Sequence, residues 1–167
     1  MILVATTRRA RVALLQWMII VAVPFLNRFR RRSGWNYSLN ELRLFPKGSW
    51  GGTLAQFLDT RGFADFLPNY ESHDAFHTLL GYETSVTGEM RLQAFMIGNR
   101  GASFAGCVLF VLGCFILPEL LPQLRLDLER GRKSSQLRGW DVPTMLGYDL
   151  NILSSQIASR NDLSTKI

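Results

Sequence analysis

A chain of 167 residues is long enough to close one hydrophobic core without staples and too short for several full domains. Apolar residues make up 47% of it, an ordinary globular share, so composition alone does not call for a bundle of membrane spans. The net charge of +6 is uneven: residues 1–40 hold seven arginines (Arg8, Arg9, Arg11, Arg28, Arg30, Arg31, Arg32) and no acid before Glu41, a block that attracts phosphates of nucleic acid or of anionic lipid.

What lies between the arginines favours lipid. Residues 12–26 (VALLQWMIIVAVPFL) contain a single polar member, Gln16. As a helix they would run about 22 Å, short of the roughly 30 Å hydrocarbon core. Arginines at both ends can snorkel to headgroups, and Trp17 suits the interface. The stretch is predicted to lie in or dip into one leaflet; an ordinary core helix and a cleaved targeting peptide are the alternatives. A nucleic-acid partner is not expected, because the intervening side chains are aliphatic and offer no stacking platform.

Residues 33–36 read as a turn, and Pro46 and Gly48 mark a loop. Thr53 is a plausible N-cap for a helix over about 54–61 that Gly62 closes. A helix over about 70–80 ends at Gly81, residues 81–88 form a polar connection, and a helix follows from Glu89 to Gly98. Residues 101–118 carry no charge for eighteen positions, so either a buried helix or a membrane-facing one fits; Gly101, Ser103, Gly106 and Gly113 dilute it as a span. Cys107 and Cys114, seven apart, would sit about 10 Å apart on such a helix, too far for a disulfide, and read as small buried hydrophobes. Pro118 and Pro122 mark a break before a helix from Glu119 to about Arg130, and Gly131 interrupts a basic run. Asp141 starts a last helix bearing Leu146, Leu150, Leu153 and Ile157, and the tail from Ser159 is polar. No stretch alternates long enough for a strand. The predicted class is all-α, with six to seven helices. Residues 1–35 are predicted to form a basic, membrane-contacting segment and 36–167 a helical domain.

The two histidines of the chain lie four apart, in His73-Asp74-Ala75-Phe76-His77. On a helix, positions 73, 74 and 77 fall at about 0°, 100° and 40° around the axis, so all three side chains share a sector. Imidazoles at i and i+4 form a natural clamp for zinc or another divalent ion. Asp74 can give an oxygen or orient an imidazole from behind. Glu89, twelve residues past His77, is the preferred completing ligand and Glu83 the fallback. A structural reading, with the histidines packing their helix and Glu89 complementing a helix N-terminus, is the alternative. A zincin would need Glu between its histidines, and the His-Asp phosphohydrolases need a histidine upstream of His73; neither is present.

The stretch from Ser72 to Phe95 (SHDAFHTLLGYETSVTGEMRLQAF) resembles the signature of the coenzyme Q biosynthesis protein 4 family, H-D-x-x-H followed after eleven residues by Glu, with Gly-Tyr-x-Thr between. His73, Asp74, His77, Gly81, Tyr82, Thr84 and Glu89 match. The likeness continues more weakly through Leu117-Pro118-Glu119, residues 130–133 and Trp140-Asp141, and upstream through Gly52-Thr53-Leu54 and Phe57-Leu58-Asp59. The resemblance implies an all-helical fold, peripheral membrane attachment, a polyprenyl-lipid pocket and one divalent metal, usually zinc, on His73, Asp74, His77 and Glu89. It implies a role in ubiquinone biosynthesis: removing the C1 carboxyl of a polyprenylated ring with hydroxylation there, as a metal-dependent lyase or oxidative decarboxylase, and organising the other quinone-biosynthesis enzymes. The competing expectation is a non-catalytic scaffold that binds the prenyl lipid. Tyr82, beside the site in sequence, is a candidate substrate contact. The short N-terminus suggests the cytoplasmic face of a bacterial inner membrane, the mitochondrial matrix side being the alternative; a homodimer is allowed.

Overall fold

The computed structural model describes residues 2–27, 35, 37–63 and 70–158, with the side chains of residues 7–21 in the first helix. Arg28, Arg30, Arg31 and Arg32, the turn residues Ser33, Gly34 and Asn36, Pro68 and Asn69 ahead of the helix predicted over about 70–80, and the tail from Ser159 lie outside the described residues.

Among the described residues the secondary structure is helical: α1 (Ile2–Asn27), α2 (Leu39–Leu42), α3 (Trp50–Asp59), α4 (Glu71–Leu80), α5 (Val86–Gly98), α6 (Phe104–Ile116), α7 (Leu121–Lys133), α8 (Val142–Met145) and α9 (Leu150–Ala158). A 3-10 turn, Pro118–Leu120, leads into α7. The predicted all-α class is the observed one. Two units divide the chain: one holds α1 with the segment Glu83–Gln136, the other the segments that end at Tyr82 and begin at Leu137.

In the unit containing α1, α5 is the central helix. Val86, Gly88, Met90, Leu92, Ala94 and Phe95 are buried on several sides of it, which leaves it little polar face. Leu15 of α1, Val86, Met90 and Ala94 of α5, Leu109 of α6, and Leu117, Leu120 and Leu124 meet in one apolar cluster. Backbones come close where glycines allow it. A Cβ on Gly98 would run into the Leu128 carbonyl, and one on Gly131 into the Phe95 carbonyl. Helix α7 runs on through Gly131 to Lys133, about one turn past the expected end near Arg130. Asn99 closes the same end, its amide donating to Gly131 O (3.2 Å) and Ser135 O (2.9 Å). Arg91 grips the buried Asp127 through two bonds of 2.8 and 3.2 Å.

Helix α1 buries Leu15 and half-buries Val12, Met18 and Ile19, whereas Leu14, Trp17, Ile20 and Val21 are exposed. Its basic end is tied down: Arg11 donates to Ile116 O (2.9 Å) and pairs with Glu119 at 3.0 Å, and Arg8 reaches Glu119 at 3.4 Å. Helix α6 buries Ala105, Gly106, Leu109 and Gly113 and exposes Phe104 and Phe115. Cys107 and Cys114 are free thiols and only half-buried, not fully interior as expected; burial still pushes the Cys114 thiol up. Among the described residues no single helix is long and apolar enough to cross a membrane; α6 and the Pro118–Lys133 stretch would do so only as a pair bent by 103°.

The second unit assembles around α3 and α4. Ser38 and Glu41 form a reciprocal capping box on α2, a helix hidden in a stretch that reads as loop. Ser49, not Thr53, caps α3, accepting from Gly52 N, so Gly51 and Gly52 lie inside the first turn. They are small for a reason: a Cβ on Gly51 would meet the Phe45 ring and one on Gly52 the Pro46 carbonyl. The single helix expected from Asp141 onward is two, α8 and α9. The segment between them faces the start of α3: Gly51 N donates to Leu146 O (2.8 Å), Trp50 N to Tyr148 O (2.9 Å) and Leu150 N to Gly48 O (3.0 Å). Carbonyls that would have continued a helix instead satisfy donors at the N-terminus of another.

Candidate metal centre

Helix α4 carries the histidine pair. Its first turn has Glu71 and Asp74, which complement the positive end of the helix. Its C-terminus is set by Gly81, at φ 73° and ψ 30°, the left-handed geometry that glycine adopts without strain. Gly81 N and Tyr82 N both donate to His77 O, at 3.0 Å each. The chain thereby folds back over the last turn, and the Tyr82 carbonyl lands 3.1 Å from His77 Nδ1. A carbonyl can only accept, so Nδ1 carries a proton, which in the neutral ring leaves the lone pair on Nε2. That tautomer is the one a metal requires of Nε2, with the backbone carbonyl as the orienting partner.

The two histidines, four apart on α4, face one another. Their ring centroids are 4.7 Å apart with planes at 70°, and one ring nitrogen of each lies within 4.8 Å of the other. His77 is buried at 1% exposure, whereas His73 keeps 29% of its side chain accessible. The pair is thus accessible at His73 and dry at His77. Asp74 lies with Oδ1 3.5 Å from His73 Nδ1, a position suited to orienting that imidazole.

Aromatic side chains frame the pair. Phe57 of α3 stacks on His77 (6.1 Å, 23°), and Tyr70 meets His73 edge-on at 6.0 Å. Trp50 is fully buried; its indole N–H lies 3.0 Å from Ala75 O and 3.1 Å from Thr78 Oγ1. Trp35 donates to Ser72 Oγ at 3.1 Å. Ser154 of α9 donates to Leu79 O at 3.2 Å. Apart from Tyr70, three residues before His73, these partners are not legible from linear spacing: Trp50 and Ala75 are 25 residues apart.

Of the other residues expected at the site, Tyr82 has a buried ring, 4% exposed, and what it brings to His77 is its carbonyl. Glu89 belongs to the first turn of α5, 9% exposed, with its backbone N–H on Ser85 O at 2.8 Å. Gly88 before it presses on the Glu83 backbone, a contact that no side chain would permit. Glu83, the fallback ligand, is exposed.

No family model matches the chain, and no curated protein matches it. Among solved structures it is similar to a candidate ubiquinone biosynthesis protein of Nostoc punctiforme PCC 73102, at 18% identity and a TM-score of 0.58, over 91% of this chain and 81% of that one. At that identity the likeness speaks for architecture, and the chain shares the helical fold of the Nostoc protein.

Proposed function

We propose that this chain is a metal-binding protein of ubiquinone biosynthesis, acting at a membrane surface on a polyprenylated aromatic ring. The observation that carries the reading is the histidine pair of α4, with His77 held by the Tyr82 carbonyl in the tautomer that ligates through Nε2. The donor set suits zinc: two imidazoles from one helix turn, with carboxylates available from Asp74 and, by its sequence spacing, Glu89. The fold shared with the Nostoc protein supports the pathway. A divalent ion bound there supplies positive charge for a ring carboxylate, the group lost in a C1 decarboxylation. The chain's own contribution is to hold both imidazoles in place and keep His77 dry.

Membrane attachment is read from α1. Leu14, Trp17, Ile20 and Val21 stay exposed on a helix whose other end bears Arg8, Arg9 and Arg11, which suits an anionic lipid surface.

Elemental analysis of wild type and His77→Ala, purified side by side, tests the centre. Wild type is expected to hold about one divalent ion per chain and the variant none, as a site with two or three protein ligands requires its central imidazole. A folded, metal-free wild type would sink the reading. Glu89→Gln then separates the roles: an enzyme loses release of carbon dioxide from a polyprenylated aromatic carboxylate and keeps its fold, whereas a scaffold loses recovery of its partner enzymes.

A further inference from the structure

Helix α4 is pinned from the side at the turn between its two histidines. Trp50, fully buried on α3, points its indole N–H at Ala75 O (3.0 Å) and Thr78 Oγ1 (3.1 Å). Thr78 Oγ1 in turn donates to the same Ala75 carbonyl at 2.7 Å. Ala75 is itself fully buried and lies midway between His73 and His77. The indole lies beside two other rings, with Phe76 at 6.3 Å and Trp140 at 6.4 Å.

A backbone carbonyl inside a helix already accepts the N–H four residues on and asks for no further donor. Packing alone would be served by phenylalanine at position 50. A buried indole needs a partner, and here that partner is the one turn whose rotation sets the direction of both imidazoles. From this convergence we infer that Trp50 is a positioning residue for the metal centre: its N–H fixes the axial rotation of α4 and so keeps His73 and His77 converging on one ion. The inference rests on the metal reading of that histidine pair.

Trp50→Phe keeps most of the ring and removes the donor. Cobalt(II) titration, followed by its visible absorption, is run on wild type and variant beside their circular dichroism and thermal melts. Wild type is expected to bind one ion, and Trp50→Phe to bind it about tenfold more weakly with an altered cobalt spectrum and unchanged helicity, as loss of an orienting hydrogen bond does at metal sites. Equal affinity and an identical spectrum in the two proteins would overturn the role of Trp50 and leave the metal reading standing. No cobalt uptake by wild type would overturn both.

Should Trp50→Phe not fold, wild type alone decides. Its four indole N–H signals are followed by proton–nitrogen spectroscopy during zinc addition, assigned through Trp17→Phe, Trp35→Phe and Trp140→Phe. The Trp50 signal is expected to shift and to exchange more slowly on zinc binding. A signal that zinc leaves unmoved, while zinc binds, identifies a packing tryptophan and overturns the inference.

Discussion

Gly81 does two things with one backbone conformation: it ends α4, and it returns the Tyr82 carbonyl to His77. Nothing lies within 4 Å of where its Cβ would be, so the strain of Gly81→Ala is conformational and not steric. A left-handed alanine costs about 1 kcal/mol, which urea unfolding would show as a lower midpoint at unchanged slope. If the variant relaxes by moving Tyr82, His77 also loses its orienting acceptor and zinc affinity falls about tenfold. Normal affinity in a destabilised Gly81→Ala would show that the turn serves the helix alone. At this scale the sequence is informative where chemistry is local. The convergence of His73 and His77 is readable because i and i+4 share a helix face, and Gly81 because helices end on glycine. Trp50, Phe57 and the Trp35–Ser72 bond were not, since their partners are brought together only by packing.

Among the elements, the close approach of α5 and α7 depends on glycines whose place a side chain cannot take. Gly131→Ala would push a methyl into the Phe95 carbonyl, and overpacking of this kind destabilises by roughly 1–3 kcal/mol. Gly139→Ala is the control: it meets no atom within 4 Å, though at φ 93° it carries its own backbone strain. A loss at Gly131 no larger than at Gly139 would argue against tight helix contact. The tether of α1 gives a pH dependence. Glu119 is held below the ordinary carboxylate value of 4.5, first by its own backbone N–H and then by Arg11 and Arg8. A depressed carboxylate stabilises above its unfolded value, and that stabilisation is lost as pH falls through the folded one. The pair is a third exposed, so its contribution is about 0.5 kcal/mol. The stability gap between wild type and Glu119→Gln, measured by urea titration, is expected to close as pH falls from about 6 to about 3. A gap that persists in acid would assign the difference to the hydrogen bond with Ile116 or to packing. Element boundaries were the least legible feature. Ser85 and Ser49 cap three to four residues earlier than periodicity suggested, and α8 and α9 are separated because Leu146 and Tyr148 carbonyls are spoken for by α3.

For the molecule as a whole, the question is what meets the apolar surface left outside the core of the α1 unit. Trp17 is 60% exposed, Ile20 61%, Phe104 79% and Phe115 81%. In the sequence an apolar surface is legible at α1, where fifteen uncharged residues lie between arginines, and ambiguous at α6, whose inner face is Ala105, Gly106, Leu109 and Gly113. A bilayer explains the combination of apolar and cationic groups; a second copy of the chain would explain only the apolar part. Flotation with vesicles separates them. Wild type is expected to bind vesicles containing anionic phospholipid, more weakly in 1 M salt than at about 0.1 M, since screening shortens the reach of Arg8, Arg9 and Arg11. Trp17→Ser with Phe115→Ser should lower partitioning at least tenfold, because each inserted ring is worth about 1.4 kcal/mol or more. Both positions are exposed, so the double variant should melt as wild type does. Undiminished vesicle binding by that variant would remove these rings from the contact. A wild type that ignores vesicles and elutes as a dimer, with the variant monomeric, would assign the surface to a second copy of the chain.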